Sequence, residues 1–546
     1  MWHKLWDKVK TTRFRLWYML CFLLLGIIDQ RRGSADGTVQ MVFANCTGFV
    51  IAAMLFPSLV WERFRHKCYL WWTVICAILA PCACIWWRSF WFYRGQWVTG
   101  VFNVVVWGYL VIYLVRERRQ PEIARRLRQP FFWGIVALFL LMFLSVNEGI
   151  EPLWCLLLFG GFYLVGLPDR YREDFFQGML NGFILWFFIQ QTLAFGFRPY
   201  DYVRYRGLYS GETQNGIFYM IIYCAFLCKW IWVKENGRSR LLVLLWFGLS
   251  GGAIGFLLFT GSRSSLVGVV VVTLLIYTIY DIIRKKSFYR WLLHFVALSL
   301  CLAISVPVVY GCIRYLPTIL HHPVWFEGEY REKESIRSFD PWDSSRYITF
   351  EKAMDMNFGR ILRMFGIRLG KNSDAPVSLP WVLTAHAEEN SDPGSSPDNP
   401  FSLPGLDLED SISIRKTIYV YYLQHLNWRG HRKSEQGFYL SSTTFYGHAH
   451  NTVLQVTYDY GIPAGGLYLV LTLYALGHFL ICAVKQKDGH SWICLVFLAA
   501  AFCYGLTEYG AVAGMITWLL NYLLLYFAGE DQRTLHLPQK RGKSDD

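Results

Sequence analysis

Residues 240–260 read RLLVLLWFGLSGGAIGFLLFT, residues 261–263 read GSR, and residues 264–283 read SSLVGVVVVTLLIYTIYDII. From Leu241 to Tyr280 the only charged side chain is Arg263. Each apolar run has about the 20 residues that an α-helix needs to cross a bilayer core. Inside lipid the backbone N–H and C=O groups have no water to bond, so such a run closes its own hydrogen bonds as a helix. The pattern predicts two membrane-crossing helices joined by a tight turn, with Arg263 at the surface.

The same pattern repeats outward from this pair. Runs of roughly 16–23 apolar residues lie near 14–29, 39–61, 69–87, 97–115, 131–146, 152–167, 175–196, 216–233, 290–312, 461–484, 491–507 and 510–528. With 240–260 and 264–283 they make fourteen candidate spans. The 546 residues are 54% hydrophobic and 17% charged, against about 25% charged in soluble domains. A string of soluble domains is therefore excluded. Trp2 to Gln30 has a basic start and an apolar core but no small-residue cleavage pattern, and is expected to stay as a first helix. All 14 cysteines lie in or beside apolar runs, so Cys82 and Cys84 read as packing residues rather than as a disulfide or metal framework.

Charge sets the expected orientation. The net charge is +14, yet the segment from Arg314 to Ala449 is nearly balanced, with 15 Lys and Arg against 17 Asp and Glu. The basic excess sits in short connections such as Arg116 to Arg119, Arg125-Arg126 and Arg284 to Lys286. That is the bias of cytoplasmic loops and not a nucleic-acid footprint. Both termini are expected in the cytoplasm, with the loop of 313–449 outside. The fold class is an all-α polytopic membrane protein of about 12–14 transmembrane helices. Its expected parts are N-terminal spans (1–196), spans with arginine loops (197–312), a large outer loop containing helices (313–449), C-terminal spans (450–530) and a cytoplasmic tail (531–546). In span 240–260 the pairs Gly248/Gly252 and Gly251/Gly255 are expected to allow close helix packing. Ser345 to Leu362 and Ser411 to Leu426 read as amphipathic helices of the outer loop.

Where the polar loop ends, residues 446–463 read YGHAHNTVLQVTYDYGIP. Asn451 can cap a following helix, Gly461 and Pro463 can stop it, and Val453, Val456, Thr457 and Tyr460 recur at helical spacing as an apolar face. His450 is thus held at a helix mouth. Three arginine sites share its side: Arg206 in YRGLYSGETQN (205–215), with Arg198 and Arg204 nearby; Arg263 in TGSRSS (260–265); and Arg346 in DSSRYITF (343–350). Guanidinium groups fit phosphate oxygens in a planar fork. A histidine titrates near neutrality and suits proton abstraction. Each residue also has a plain account: arginines snorkel to headgroups, Ser262 caps a helix, and His448 or His450 is a solvated loop histidine. No metal-ligand cluster is visible, and His321-His322 has no partners at ligand spacing.

These motifs, taken in order, resemble the bacterial O-antigen ligase and polymerase superfamily. The similarity covers roughly 200–530 and rests on TGSRSS (260–265), on His450-Asn451 with Leu454 and Gly461-Ile462-Pro463, on Ser345-Arg346 ahead of Phe350 and Ala353, on Arg206-Gly207-Leu208 with Asn215, and on Glu508. Two spans exceed the family's usual twelve. Of the Pro- and Gly-rich segment that usually follows the loop arginine, only Gly359 remains nearby. The resemblance implies a GT-C-like membrane glycosyltransferase in the bacterial cytoplasmic membrane, with an extracytoplasmic site. It would move a glycan from a polyprenyl pyrophosphate carrier to a hydroxyl on another glycan or a lipid-linked core. His450 would be the base, while Arg206, Arg346 and Arg263 would bind the pyrophosphate. Asn451, Glu508, Ser262 and Asn215 would support them, with no cofactor and no metal. His448 is expected to matter less, because only His450 precedes Asn451 as in the motif. A polymerase shares these motifs. A lipid-linked-glycan flippase is the alternative of another class, disfavoured because transporters place charges within spans and these spans are nearly free of them.

Overall fold

The computed structural model describes residues 2–31, 37–57, 66–90, 108–117, 121–147, 149, 151–197, 204–209, 211–237, 239–320, 350–351, 353–355, 411–433, 437–439, 445–485, 490–510 and 515–530. The helices are α1 (Trp2–Arg31), α2 (Gly37–Met54), α3 (Lys67–Phe90), α4 (108–117), α5 (Pro121–Leu127), α6 (Pro130–Phe143), α7 (Glu151–Val165), α8 (Asp169–Phe197), α9 (Glu212–Glu235), α10 (Arg240–Thr260), α11 (Arg263–Tyr277), α12 (Phe288–Ile319), α13 (Ser411–Gln424), α14 (Thr452–Tyr460), α15 (Ile462–Lys485), α16 (Ser491–Gly505) and α17 (Ile516–Glu530). A π-helical stretch, Thr278–Arg284, continues α11. One two-stranded antiparallel ribbon pairs Phe438 with Tyr446 and Tyr439 with Phe445.

Helix coincides with the described part of every predicted span, those near 39–61, 97–115 and 510–528 being described only in part. Six helices are long and apolar enough to cross a membrane among the described residues: Asp169–Gly196, Glu212–Glu235, Arg240–Thr260, Arg263–Arg284, Phe288–Leu316 and Ile462–Lys485. The molecule is a helical membrane protein. α6 and α7, at 14 and 15 residues, are shorter than the ~20 residues a bilayer requires. α12 runs to Ile319, past the predicted border at 312, because apolar residues continue through Leu316.

Two helices show how the bundle is layered. α9 is buried almost all round, from Asn215 to Trp230, as a helix enclosed by other helices must be. It packs along α10 and also against α8, α11 and α16. α12 instead exposes Leu292, Leu293, Val296, Leu300, Ile304 and Val308, the composition of a lipid-facing surface. Toward one end of the bundle a few ionisable groups lie in or beside the spans, which are otherwise nearly free of charge. There Lys229 donates to Gln177 Oε1 at 2.7 Å, His294 lies between Asp281 and Lys234, and Arg284 pairs with Glu235 at 2.6 Å. These groups bond one another, which is how charge is tolerated in lipid.

Of the two small-residue pairs in α10, one packs. A Cβ on Gly251 would run into Cys301 Sγ of α12, and one on Gly255 would lie 3.3 Å from Val309 Cγ2. Gly248 and Gly252 face open space. Gly251→Leu should therefore destabilise the protein by about 1–3 kcal/mol through overpacking, read as a lower Tm in detergent. Gly252→Leu should leave Tm near the parent value, and the reverse order would remove this face from the α10–α12 contact.

Candidate functional site

The predicted motifs that fall on described residues lie at the other end of the bundle, where α10 ends and α11, α9 and α14 begin. α9 has 24 residues, which separates the two ends by about 36 Å. Gly261, in the left-handed region at φ +61°, ends α10 and turns the chain straight into α11. The loop carrying Arg206 is tied to this turn. Tyr205 N donates to Phe259 O at 2.9 Å, and Arg204 donates to the carbonyls of Thr260 at 3.0 Å and Gly261 at 2.7 Å. Arg204 thus caps α10 instead of snorkelling.

Within that loop Arg206 Nε lies 3.3 Å from Glu212 Oε1. Asn215 is fully buried and donates to Tyr205 O at 3.0 Å, beneath Gly207 at φ +59°. It is a brace for the loop. Ser262 occupies the N-cap position of α11, but its hydroxyl bonds Ser265 Oγ at 3.0 Å and its side chain packs on Gly216 instead of capping. Arg263 begins α11 with an exposed side chain. Arg346, like Ser345, Arg198 and the His321-His322 pair, lies outside the described residues.

His450 is positioned by its own helix and by two others. Asn451 Oδ1 accepts from Leu454 N at 2.9 Å, the expected cap of α14, while Asn451 Nδ2 donates to Leu506 O at 3.0 Å. His450 itself is left-handed at φ +47°. Few residues other than glycine adopt that conformation, and it clusters at functional positions. Val456 of the predicted apolar face is buried, with Val453 and Tyr460 packed on the core, but the same helix also buries two polar residues: Gln455 and Asp459 are 1% and 4% exposed. They are satisfied by each other at 2.8 Å and by Ala449 N, which donates to Gln455 Oε1 at 2.6 Å. Buried polar groups of this kind are retained where a backbone must be held.

The imidazole meets Glu508, in the turn between α16 and α17. His450 Nδ1 is 2.8 Å from Glu508 Oε2. Glu508 Oε1 accepts from Arg415 Nη2 of α13 at 2.6 Å and from Ser264 Oγ at 3.4 Å. Thr452 locks the turn by donating to Glu508 O at 3.0 Å and accepting from Gly510 N at 2.8 Å. Burial pushes the Glu508 carboxyl up, but the hydrogen bond and charge of His450 and the Arg415 guanidinium outweigh it and hold the group below its usual value. The site thus contains a carboxylate bonded to an imidazole at Nδ1, an arrangement in which Nε2 can act as a base.

The structure therefore joins His450, Glu508 and the turn of Ser262 to Ser265, and hangs the Arg206 loop on that turn. Sequence reading missed Arg415. Its only signal was the amphipathic pattern of Ser411 to Leu426. His448, expected to matter less, lies beside the pair: its ring centroid is 4.2 Å from that of His450. Among the described residues no three His, Cys, Asp or Glu side chains are grouped as an ion site. Comparison with family models, with curated proteins and with solved structures returns no match.

Burial, and then the neighbouring His450, push His448 down to about 4, against a smaller upward pull from Glu508. An unfolded histidine binds its proton near ~6.5. Neutral His448 thus contributes stability that is complete above that pH and is lost as pH falls through about 4. His448→Gln should lose less Tm than the parent when the pH falls from about 7, above this window, to about 5, inside it. Equal losses would show that His448 is not buried neutral.

Proposed function

We propose that the chain is a membrane glycosyltransferase of the O-antigen ligase type, GT-C-like in architecture. It would transfer a glycan from a polyprenyl pyrophosphate carrier to a hydroxyl acceptor, a glycan or a lipid-linked core, on the outer face of the bacterial cytoplasmic membrane. The observation that carries this proposal is the His450–Glu508 pair at 2.8 Å, with Ser264 of the TGSRSS turn on the same carboxylate. Three motifs far apart in sequence share one carboxyl group.

In this mechanism Glu508 accepts from His450 Nδ1–H and fixes the tautomer in which Nε2 carries a lone pair. Nε2 takes the proton of the acceptor hydroxyl. The acceptor oxygen forms a bond to the anomeric carbon, and the bond from that carbon to the carrier phosphate oxygen breaks. The polyprenyl pyrophosphate leaves with the electron pair. Arg206, Arg346 and Arg263 are assigned to the pyrophosphate, where fixed guanidinium charge favours the leaving group as negative charge develops. Glu508 offsets the imidazolium that forms. A polymerase differs only in the acceptor. Deleting the gene and examining surface glycans separates the two, since single attached repeats mark a polymerase and loss of all long chains from the acceptor marks a ligase.

His450→Ala should cut transfer by about 10²–10⁴, the usual range for a lost general base, with donor affinity little changed. Glu508→Gln should keep donor binding and lose turnover. Arg206→Ala and Arg346→Ala should weaken donor binding as well, with only partial rescue by Lys. These are read as transfer from a lipid pyrophosphate donor, with donor affinity measured separately. Near-normal turnover of His450→Ala would sink the assignment of the base.

The proposal also requires an outer site. Cysteines at the exposed positions Lys416 and Lys285, in a background without reactive cysteines, should report this with an impermeant thiol reagent. Lys416→Cys should label on intact cells and Lys285→Cys only after permeabilisation. The opposite result places the site in the cytoplasm.

A further inference from the structure

Resting on His450 as the base, we propose that Arg415 and Tyr419 of the outer-loop helix α13 are positioning residues that set the His450–Glu508 pair. Both lie one helical turn apart on the same face. Arg415 Nη2 donates to Glu508 Oε1 at 2.6 Å, and the Tyr419 hydroxyl donates to the carbonyl of His450 at 3.2 Å. One helix thus touches each member of the pair. It is anchored there by Ile418 and Tyr422, which are buried with Ala449 and Tyr458 in a small apolar cluster.

The two contacts act on different degrees of freedom. A carboxylate bonded at one oxygen only can rotate away from its partner, whereas one bonded at both oxygens cannot. Glu508 is held through Oε1 by Arg415, with Ser264 behind it, so Oε2 stays on the imidazole. A guanidinium bond to a carboxylate is charge-assisted and directional, which suits this task. Tyr419 acts on the backbone. His450 sits at φ +47°, a conformation that persists only where its surroundings over-determine it. The hydroxyl on its carbonyl, together with Gln455 on the preceding N–H, does so.

Arg415 also fixes the charge that the imidazole meets. The groups facing His450 are Glu508 from the α16–α17 turn, Arg415 behind it from α13, and His448 and Tyr446 from its own segment. Tyr509 lies beyond His448. With Arg415 present the carboxylate is shared between the guanidinium and the imidazole. Without Arg415 no second cation competes for it, and protonation of the imidazole is favoured more than in the parent.

The test uses the full-length protein in membranes. Modification of His450 by diethyl pyrocarbonate, which takes the neutral imidazole, is followed against pH by peptide mass spectrometry, beside kcat and donor KM. In Arg415→Gln the midpoint of His450 modification should rise by roughly 0.5–1 pH unit. Its kcat should fall by up to about 10²-fold, the cost of a small misplacement, with donor KM little changed. Arg415→Lys should keep the parent midpoint and recover part of kcat. Tyr419→Phe should lower kcat without moving the midpoint. An unmoved midpoint in Arg415→Gln, or a change in donor KM alone, overturns the inference; the second outcome would make Arg415 a donor contact. A parent protein that transfers no glycan overturns the glycosyltransferase proposal, and the His450 midpoint then decides the role of Arg415 by itself.

Discussion

A single carboxylate, Glu508, ties together one end of this helical bundle. Its two oxygens and its carbonyl reach His450, Arg415, Ser264 and Thr452, which belong to the segment before α14, to α13, to α11 and to α14. A carboxylate can do this because it accepts about four hydrogen bonds and donates none when ionised. The group is largely shielded, with a side chain 12% exposed, so its bonds are not lost to competing water. An unpaired charge in that position would be costly, and the Arg415 guanidinium with the other donors around it removes the cost. The result is a pre-set imidazole at a helix mouth instead of a mobile one.

The bundle makes this possible by keeping helix ends in register. α9, α10, α11 and α12 alternate in direction through short connections, so Arg206, Gly261, Ser262 and Ser264 fall at one end and Glu235, Arg284 and His294 at the other. Charged and polar groups collect at these two ends because the spans between them face lipid or apolar neighbours. The two ends use their charges differently. At the second end Lys234, His294, Asp281, Arg284 and Glu235 bond one another. At the first, the His450 imidazole bonds only through Nδ1 in the proposed mechanism, and its second nitrogen is left to react.

The long loop before α14 is stitched to the bundle where it returns to it. After α13 the chain passes beside the C-terminal end of α14: Ile462 N donates to Asn427 O at 3.0 Å, and the His431 ring stacks on Tyr458 at 3.8 Å. Val146 N donates to Arg429 O at 2.9 Å, and Asn147 donates to His431 O at 3.0 Å, linking the loop to the end of α6. Gly461, at φ +95°, admits this approach, since a Cβ there would strike Trp428 O. The glycine that reads in sequence as a helix stop is also the point where the loop docks.

Much of the architecture was legible in the residues. Apolar run length located the helices, and Asn451, Gly461 and Gly261 marked helix ends, because lipid solvation and capping are local effects that depend on neighbours in sequence. The candidacy of His450 and the turn of Ser262 to Ser265 was visible for the same reason. The buried polar face of α14 was not, since Gln455 and Asp459 look solvent-bound until their partners are known. Nor was the choice between Gly251 and Gly252, which depends on where α12 lies. The sequence by itself determined which segments are helices and which residues stand at their mouths. Only the tertiary structure decided that Arg415, 93 residues before Glu508 in the chain, shares its carboxylate with His450, because a contact at that separation is set by how helices pack and not by any local preference.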